Sequence, residues 1–168
     1  MRYIIILCVA LAWLLALSQN VCGYSPKNYG KAPEFNLEDL KGHKSILTNK
    51  KSNKVLIIDF WRLSCAYCIK GIPDYIELSN KYDKSDLAFV TVNIKDEPSK
   101  VKKFLSKRKE KWPVLFDRDG KVSKLYGVRA LPTVILIDKN KNVRGFYVGY
   151  NKDKSQIIKD IEILLKEQ

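Results

Sequence analysis

The sequence feature that most constrains the fold is a pair of cysteines placed just after an apolar run. Residues Val55–Trp61 are almost continuously apolar, and the motif Cys65-Ala66-Tyr67-Cys68 follows after three further residues. A run of this kind indicates a strand that is covered on both faces of a sheet. If the first cysteine opens the next helix, the unpaired backbone N–H groups there stabilise its thiolate. The segment therefore predicts a strand, a short turn, a dithiol and a helix, in that order.

The cysteine count favours a working redox pair over a structural disulfide framework. Of four cysteines, Cys8 and Cys22 lie in or at the edge of an N-terminal apolar segment. Cys65 and Cys68 are then the only cysteines certain to belong to the folded part, and closing so short a loop removes little entropy from the unfolded chain. A zinc site would need further ligands. We therefore expect a dithiol/disulfide centre with no cofactor and no metal.

The first 23 residues have the layout of a secretory signal. They carry one charge, at Arg2, followed by apolar residues 3–17 and then by small and polar residues. The apolar run is shorter than the roughly 20 residues that span a bilayer. This favours a cleaved signal, with an uncleaved anchor as the alternative. We expect an exported protein, periplasmic or at the extracytoplasmic face of the membrane, in which residues 24–168 form one domain.

The formal net charge of +13 at pH 7 identifies no partner by itself. The densest basic segment, residues 100–111, is interpreted as a solvated helix face, with docking to an acidic partner or anionic lipid as the alternative. An exported chain without a recognition motif is a poor candidate for binding nucleic acid. We therefore expect no nucleic-acid partner.

The remaining pattern predicts an α/β fold in which strands and helices alternate. The predicted strands are 32–37, 45–48, 55–61, 87–94, 113–116, 133–137 and 143–150, and the predicted helices are 65–82, 98–109, 121–126 and 153–166. The first two strands form an N-terminal hairpin. Pro73 should kink the first helix because proline removes one intrahelical hydrogen bond.

This order of elements resembles the thioredoxin fold, a central mixed sheet flanked by helices. Three features carry the resemblance: the spacing from Asp59-Phe60-Trp61 to Cys65, the position of Pro73 five residues after Cys68, and the segment Ala130-Leu131-Pro132-Thr133. Within that superfamily the chain resembles the exported TlpA/ResA/CcmG-type thiol-disulfide oxidoreductases.

Three further features carry the narrower resemblance. They are the segment Ala32-Pro33-Glu34-Phe35, a helix and strand inserted between Ile94 and Lys121, and the segment 112–117. The resemblance implies a monomer that reduces disulfides of exported proteins, with cytochrome c maturation as one setting. A membrane thiol transporter would then supply the electrons.

The site residues follow in part from their placement. Cys65, at the predicted helix start, is the candidate nucleophile, and Cys68 would resolve the mixed disulfide. Asp59 is a carboxylate near the end of an apolar strand, where burial should raise its pKa toward the range useful for accepting a proton from Cys68. The alternative is that Asp59 is an exposed strand-end or capping residue.

The resemblance adds candidate substrate-binding residues. Pro132 would be cis and pack against the disulfide, leaving the Leu131 backbone free to pair with an extended substrate. The alternative is an ordinary trans proline at a strand entrance. Trp61 and Tyr67 are candidates for the surface around the sulfurs, and Trp61 alternatively belongs to the core.

The sequence also departs from the family pattern. Ser64 and Tyr67 replace the tryptophan and proline usual before each cysteine, and Gly71 stands where many relatives carry a glutamate. The substrate surface is therefore unusual. The absence of a histidine between the cysteines favours a reductant, whereas Arg62 could stabilise the thiolate and favour a disulfide-forming oxidase.

One alternative class shares the overall fold, and a second uses a reactive cysteine. A copper chaperone of the Sco type would need three residues between its cysteines and a downstream histidine, and the one histidine here, His43, lies upstream. A peroxiredoxin would need Thr or Ser where Arg62 stands. Both classes are disfavoured.

Overall fold

The structure is a computed structural model, and it describes residues 25–47, 52–109 and 111–167. The expected signal or anchor over residues 1–23 lies outside these ranges, so it stays a prediction. Within the described ranges, no helix is long and apolar enough to cross a membrane.

The described residues form seven strands and four helices. The strands are β1 (Phe35–Asp39), β2 (Lys44–Leu47), β3 (Val55–Trp61), β4 (Leu87–Ile94), β5 (Val114–Asp117), β6 (Thr133–Ile137) and β7 (Val143–Val148). The helices are α1 (Ala66–Ser79), α2 (Pro98–Ser106), α3 (Lys121–Leu125) and α4 (Ser155–Lys166). Pro73 lies inside α1, as predicted.

The strands form one mixed sheet in the order β2-β1-β5-β4-β3-β6-β7. Strands β3, β4 and β5 are parallel, whereas β6, β7 and the β1-β2 hairpin join by antiparallel pairing. The hairpin reaches the sheet through β5, the strand that follows α2. The predicted mixed sheet, N-terminal hairpin and inserted helix and strand are therefore confirmed.

Strand β3 is central because it pairs with β4 on one side and β6 on the other. Its residues alternate between the two faces of the sheet. Val55 and Ile57 pack in a cluster with Ile157 and Ile161 of α4, whereas Ile58 and Phe60 pack in a second cluster on the other face. Burial on both faces explains why the run is apolar throughout.

Several predicted elements were too long at their C-terminal ends. β7 ends at Val148 because Gly149 adopts a φ of +81°, a conformation that turns the chain and that L side chains rarely adopt. α1 ends at Ser79, where the N–H of Asn80 bonds back to the last turn, and α2 ends at Ser106. The early end of β7 matters for function because it places Tyr150 in the loop before α4.

Candidate active site

The two cysteines form a disulfide at the junction between β3 and α1. Cys65 is the N-cap of α1, and its Sγ accepts a hydrogen bond of 3.2 Å from the backbone N–H of Cys68. The Sγ atoms of the pair are 2.02 Å apart. The first turn of α1 carries no acidic side chain, so no side-chain anion there offsets the positive field of the helix end.

The two cysteines differ in accessibility. Cys65 is half-buried, whereas Cys68 is fully buried and packs in a cluster with Trp61 and Ile72. Cys65 is therefore the more accessible residue of the pair.

Asp59 is buried in the sheet, six residues before Cys65 along the chain. It lies between Thr91 of β4 and Val134 of β6, and only 1% of the residue is exposed. Its Oδ1 has no hydrogen-bond partner among the described residues. Burial raises the pKa of Asp59 well above its usual value, and the positive charge of Lys154 opposes that rise. The alternative that Asp59 is an exposed capping residue is wrong.

Lys154, just before α4, is a partly buried cation that the sequence analysis did not single out. Its Nζ lies 3.3 Å from Oδ2 of Asp74, and its side chain is 11% exposed. The same Nζ lies 5.0 Å from the ring centroid of Tyr75 and 4.9 Å from that of Tyr150. No local pattern marks this lysine among so many, because only the folded chain brings it to the active-site face.

Tyr67 and Tyr150 form an aromatic pair beside the disulfide. Tyr67 is 66% exposed, and its ring stacks on Tyr150 with centroids 6.4 Å apart and planes 19° apart. Lys70 Nζ lies 5.1 Å from the centroid of Tyr150 on the same surface. Tyr67 is thus exposed next to the cysteines, as the sequence predicted. The sequence analysis did not predict that Tyr150 would stack on it.

The peptide bond between Leu131 and Pro132 is cis, as predicted. Pro132 accepts a hydrogen bond of 2.8 Å from the N–H of Gly149, which ties this loop to β7. Leu131 is half-buried and packs against the cluster that contains Trp61 and Cys68. Within the described part of the chain, neither backbone polar group of Leu131 has a hydrogen-bond partner.

The structure corrects the prediction that Trp61 contributes to the substrate surface. Trp61 is fully buried, and its Nε1 donates a hydrogen bond of 3.0 Å to Oγ1 of Thr91. Its ring packs edge-on against Trp112, with centroids 5.9 Å apart. Trp61 does not reach the surface because it ends a central strand that is covered on this face by α1 and α2. Trp61 belongs to the core beneath the site.

The turn between β3 and α1 is held from two sides. Leu63 N–H donates a hydrogen bond of 2.6 Å to Oδ2 of Asp96, and Cys65 N–H donates one of 3.1 Å to the carbonyl of Arg62. Arg62 is half-buried, and its buried Nε has no partner among the described residues. These contacts fix where Cys65 enters the helix.

Across residues 25–47, 52–109 and 111–167, no three His, Cys, Asp or Glu side chains lie together in a way that could hold a metal ion. His43 lies in the loop between β1 and β2, with Nδ1 3.2 Å from Oδ2 of Asp39.

Comparison with known proteins identifies the family. The Redoxin family model matches residues 27–161. The thiol-disulfide oxidoreductase ResA of Geobacillus thermodenitrificans is 35% identical over 118 residues, which cover 70% of this chain and 67% of the relative.

Two solved structures give the same result. A protein from Chlorobium tepidum described as a thiol:disulfide interchange protein, DsbE, superposes with a TM-score of 0.74 and is 32% identical, covering 84% of this chain and 99% of its own. The exposed lipoprotein thioredoxin of Streptococcus pneumoniae gives 0.67 at 27% identity, covering 77% and 98%. The disulfide at the helix start, the mixed sheet and these matches show that the chain belongs to the Redoxin family, as a thioredoxin-like thiol-disulfide oxidoreductase of the ResA and CcmG type.

Proposed function

We propose that this protein reduces disulfides of exported proteins, with Cys65 as the nucleophile and Cys68 as the resolving thiol. The observation that carries the proposal is the difference between the two sulfurs, a half-buried Cys65 at the helix start and a fully buried Cys68. A helix N-terminus favours a thiolate, and the thiolate is the form that attacks a disulfide.

The reaction transfers two electrons in two exchanges. The Cys65 thiolate attacks one sulfur of the substrate disulfide, that bond breaks, and the other substrate sulfur leaves as a thiolate. The Cys68 thiolate then attacks Cys65 Sγ and displaces the second substrate thiolate. The substrate is left as a dithiol after it takes up two protons, and the enzyme is left with the Cys65–Cys68 disulfide that the structure contains.

Asp59 is proposed to accept the proton of Cys68 during the second exchange. The support is its burial at the end of β3 together with a pKa that burial raises well above the usual value for aspartate. A base whose pKa lies closer to neutral transfers protons more effectively near pH 7 than an ordinary carboxylate does. The unpartnered Oδ1 leaves one acceptor site open for a bridging water.

Substrate binding is proposed to use the Leu131 backbone, with Pro132 against the disulfide and Tyr67 as an exposed aromatic contact. The free N–H and carbonyl of Leu131 are the groups that an extended peptide pairs with when it adds to a sheet edge. Tyr67 offers a broad ring at low entropic cost.

The setting follows from the N-terminal sequence and the family. We propose that residues 1–23 direct export, either as a cleaved signal or as an anchor, and that the redox domain acts as a monomer on the extracytoplasmic side. A reductant there needs an electron source, for which a membrane thiol transporter is the proposed partner. Disulfides of an apocytochrome c are one substrate of the proposed kind.

Disulfide formation in substrates is the second candidate function. The observation that favours it is Arg62, a half-buried cation whose backbone carbonyl accepts the hydrogen bond of Cys65 N–H. A cation near Cys65 stabilises the thiolate and hence the reduced enzyme, which makes the couple more oxidising.

A trapping experiment tests the cysteine roles. In cells that express the full chain, Cys68→Ser should accumulate mixed disulfides with exported proteins, because the resolving thiol is gone. Cys65→Ser is the matched control and should trap none. Equal trapping by the two variants would contradict the assigned roles.

A further inference from the structure

A groove beside the disulfide is lined by positive charge. It encloses about 630 Å³ between the turn after β3, the end of β4, α3 and the loop that leads into β6. Four cationic side chains line it, those of Arg62, Lys95, Lys124 and Arg129, together with Leu131, which packs against the cluster that contains Cys68. We call it the basic groove. None of the described residues that line it carries a carboxylate.

The four cations are not neutralised by the protein itself. Among the described residues, none of their side chains forms an ion pair or a hydrogen bond with a carboxylate. Two carboxylates that lie near these cations in sequence have other partners. Asp117 accepts hydrogen bonds from the N–H groups of Val122 and Ser123, and Asp96 accepts one from Leu63 N–H. The charges of the groove are therefore available to a ligand.

The groove lies next to the reactive centre, because two of its lining residues contact the cysteine region. The carbonyl of Arg62 accepts the N–H of Cys65, so the cationic side chain starts one turn from the sulfur. Leu131, which also lines the groove, carries the unpaired backbone groups proposed to bind the substrate. A peptide whose cysteine is joined to Cys65 and which pairs with Leu131 would place its neighbouring residues in the groove.

Its position relative to the disulfide distinguishes the basic groove from two other charged clefts of the described residues. A cleft lined by Asn36, Glu38, Arg118, Asp119 and Lys121 carries both signs of charge. A second cleft without carboxylates contains Lys54, Lys84 and Lys111, but it lies where β3, β4 and β5 begin, at the end of the sheet far from the disulfide. This far cleft provides a control, because reversing two charges there changes the net charge as much as reversing two charges in the basic groove.

We propose that the basic groove binds an acidic segment of the substrate protein, adjacent to the cysteine that forms the mixed disulfide with Cys65. The inference rests on the proposed function and adds a substrate class to it. A polypeptide fits the groove better than a membrane surface does, because the site is concave and mixes apolar walls at Ile94, Val128 and Leu131 with its cations. Complementary charge of this kind raises the rate of encounter and orients the partner.

The test uses three single-cysteine peptides of equal length, carried as mixed disulfides with 5-thio-2-nitrobenzoate. The peptides differ only in whether acidic, neutral or basic residues flank the cysteine. Attack by Cys65 on the peptide sulfur expels the coloured thiolate, and Cys68 then releases the peptide thiol, so each enzyme dithiol gives two electrons to one peptide. Release of the chromophore from the reduced full chain gives the second-order rate constant.

The proposal predicts that the acidic peptide reacts about tenfold faster than the neutral one at low ionic strength, with the basic peptide slowest. About 0.5 M salt should remove most of the difference, because the pairs are exposed. Lys124→Glu combined with Arg129→Glu should remove the preference for the acidic peptide. Lys84→Glu combined with Lys111→Glu, in the far cleft, changes the net charge by the same amount. This variant should retain most of the preference for the acidic peptide.

Equal rates for the three peptides would overturn the proposal and leave the proposed function intact. If the groove variant and the far-cleft variant lose the preference for the acidic peptide to the same extent, the proposal is also overturned, because net charge alone would then explain the preference. If the groove variant instead loses binding to phosphatidylglycerol vesicles while its peptide rates stay unchanged, the groove binds lipid and the proposal is wrong. If no peptide reacts faster with the native chain than with Cys65→Ser, the proposed function itself fails.

Discussion

The ring of Tyr150 occupies the space beside Gly71: a β-carbon placed on Gly71 would lie 3.0 Å from Cδ2 of Tyr150. This contact explains why glycine stands on α1 at a position where the sequence pattern of relatives suggested a glutamate. A β-carbon there would require the ring of Tyr150, which supports Tyr67 by stacking, to move by a few tenths of an ångström. The small residue and the aromatic pair therefore form one unit on the face of α1 beside the disulfide.

A double-mutant cycle tests this unit. Alanine favours a helix interior over glycine by about 0.5–1 kcal/mol, so Gly71→Ala should stabilise the protein by that amount once Tyr150 is removed. With Tyr150 present, the close contact should cancel most of the gain. The measurement is the free energy of unfolding of the two single variants and the double variant, and an identical effect of Gly71→Ala in both backgrounds contradicts the account.

Asp59→Asn should slow the reaction without blocking the first exchange. Loss of the proposed base should lower the rate of the second exchange about 10- to 100-fold at pH 7, so the mixed disulfide accumulates. Single-turnover reduction of a disulfide peptide, with mass spectrometry of quenched samples, separates the two steps. Glu162→Gln removes an exposed carboxylate from α4 and serves as the control, with no expected change.

The same substitution should change how stability depends on pH. Because burial raises the pKa of Asp59 in the folded state, the carboxyl is neutral in both states at pH values below the unfolded pKa and there costs nothing. As pH rises toward the folded pKa, only the unfolded state ionises, so native stability is lost, and the loss is complete above that pKa. Asp59→Asn should therefore gain stability relative to the native chain with increasing pH, and a constant difference from pH 4 to 9 would contradict the burial argument.

Lys154→Gln tests the cation that faces the buried carboxyl. Removing the positive charge should raise the pKa of Asp59 further, because Lys154 opposes the effect of burial. The rise of activity with pH should move to higher pH, and the rate at pH 7 should fall about two- to fivefold. Carbon NMR of the Asp59 carboxyl reports the pKa directly.

Lys152→Gln is the matched control for that experiment. Lys152 is an exposed lysine of the same loop, and it is not among the charges that act on Asp59. Its substitution should leave the pH profile in place. A shift of equal size in both variants would show that net charge, and not the position of Lys154, sets the pKa.

Thr91→Val tests the support beneath the site. Thr91 Oγ1 accepts the hydrogen bond of the Trp61 indole at 3.0 Å and donates one of 2.9 Å to the carbonyl of Pro113. Leaving the buried indole N–H unpaired should cost about 1–3 kcal/mol of unfolding free energy. In a Trp61→Phe background the cost should shrink, and an unchanged cost measured by denaturant unfolding would contradict a coupled pair.

Much of the fold was predictable because local patterns decide it. The continuous apolar run of β3 indicated a central strand, and the cysteine motif after it indicated the start of α1. Asp59 was recognised because a lone carboxylate in such a strand demands an explanation. The cis bond before Pro132 followed from the resemblance to thioredoxins and is present.

The features that could not be predicted from the sequence depend on contacts between segments that are distant along the chain. Tyr150 was placed in a strand because the apolar pattern continues past Val148, whereas Gly149 turns the chain and brings the tyrosine to α1. Lys154 lies near Asp74 only after α4 packs on the sheet. A tryptophan such as Trp61 is found both at binding surfaces and in cores. Only its contacts with Trp112 and Thr91 show that it belongs to the core.

The reduction potential of the Cys65–Cys68 couple is the measurement that tests the central claim most directly. The full chain is equilibrated against glutathione or dithiothreitol buffers, and the fraction oxidised is read by thiol alkylation. A dedicated reductant predicts a midpoint of about −230 mV or lower, in the range of glutaredoxins and thioredoxin. A midpoint well above that range, such as about −120 mV, would contradict the reductive direction and identify the protein as an oxidase.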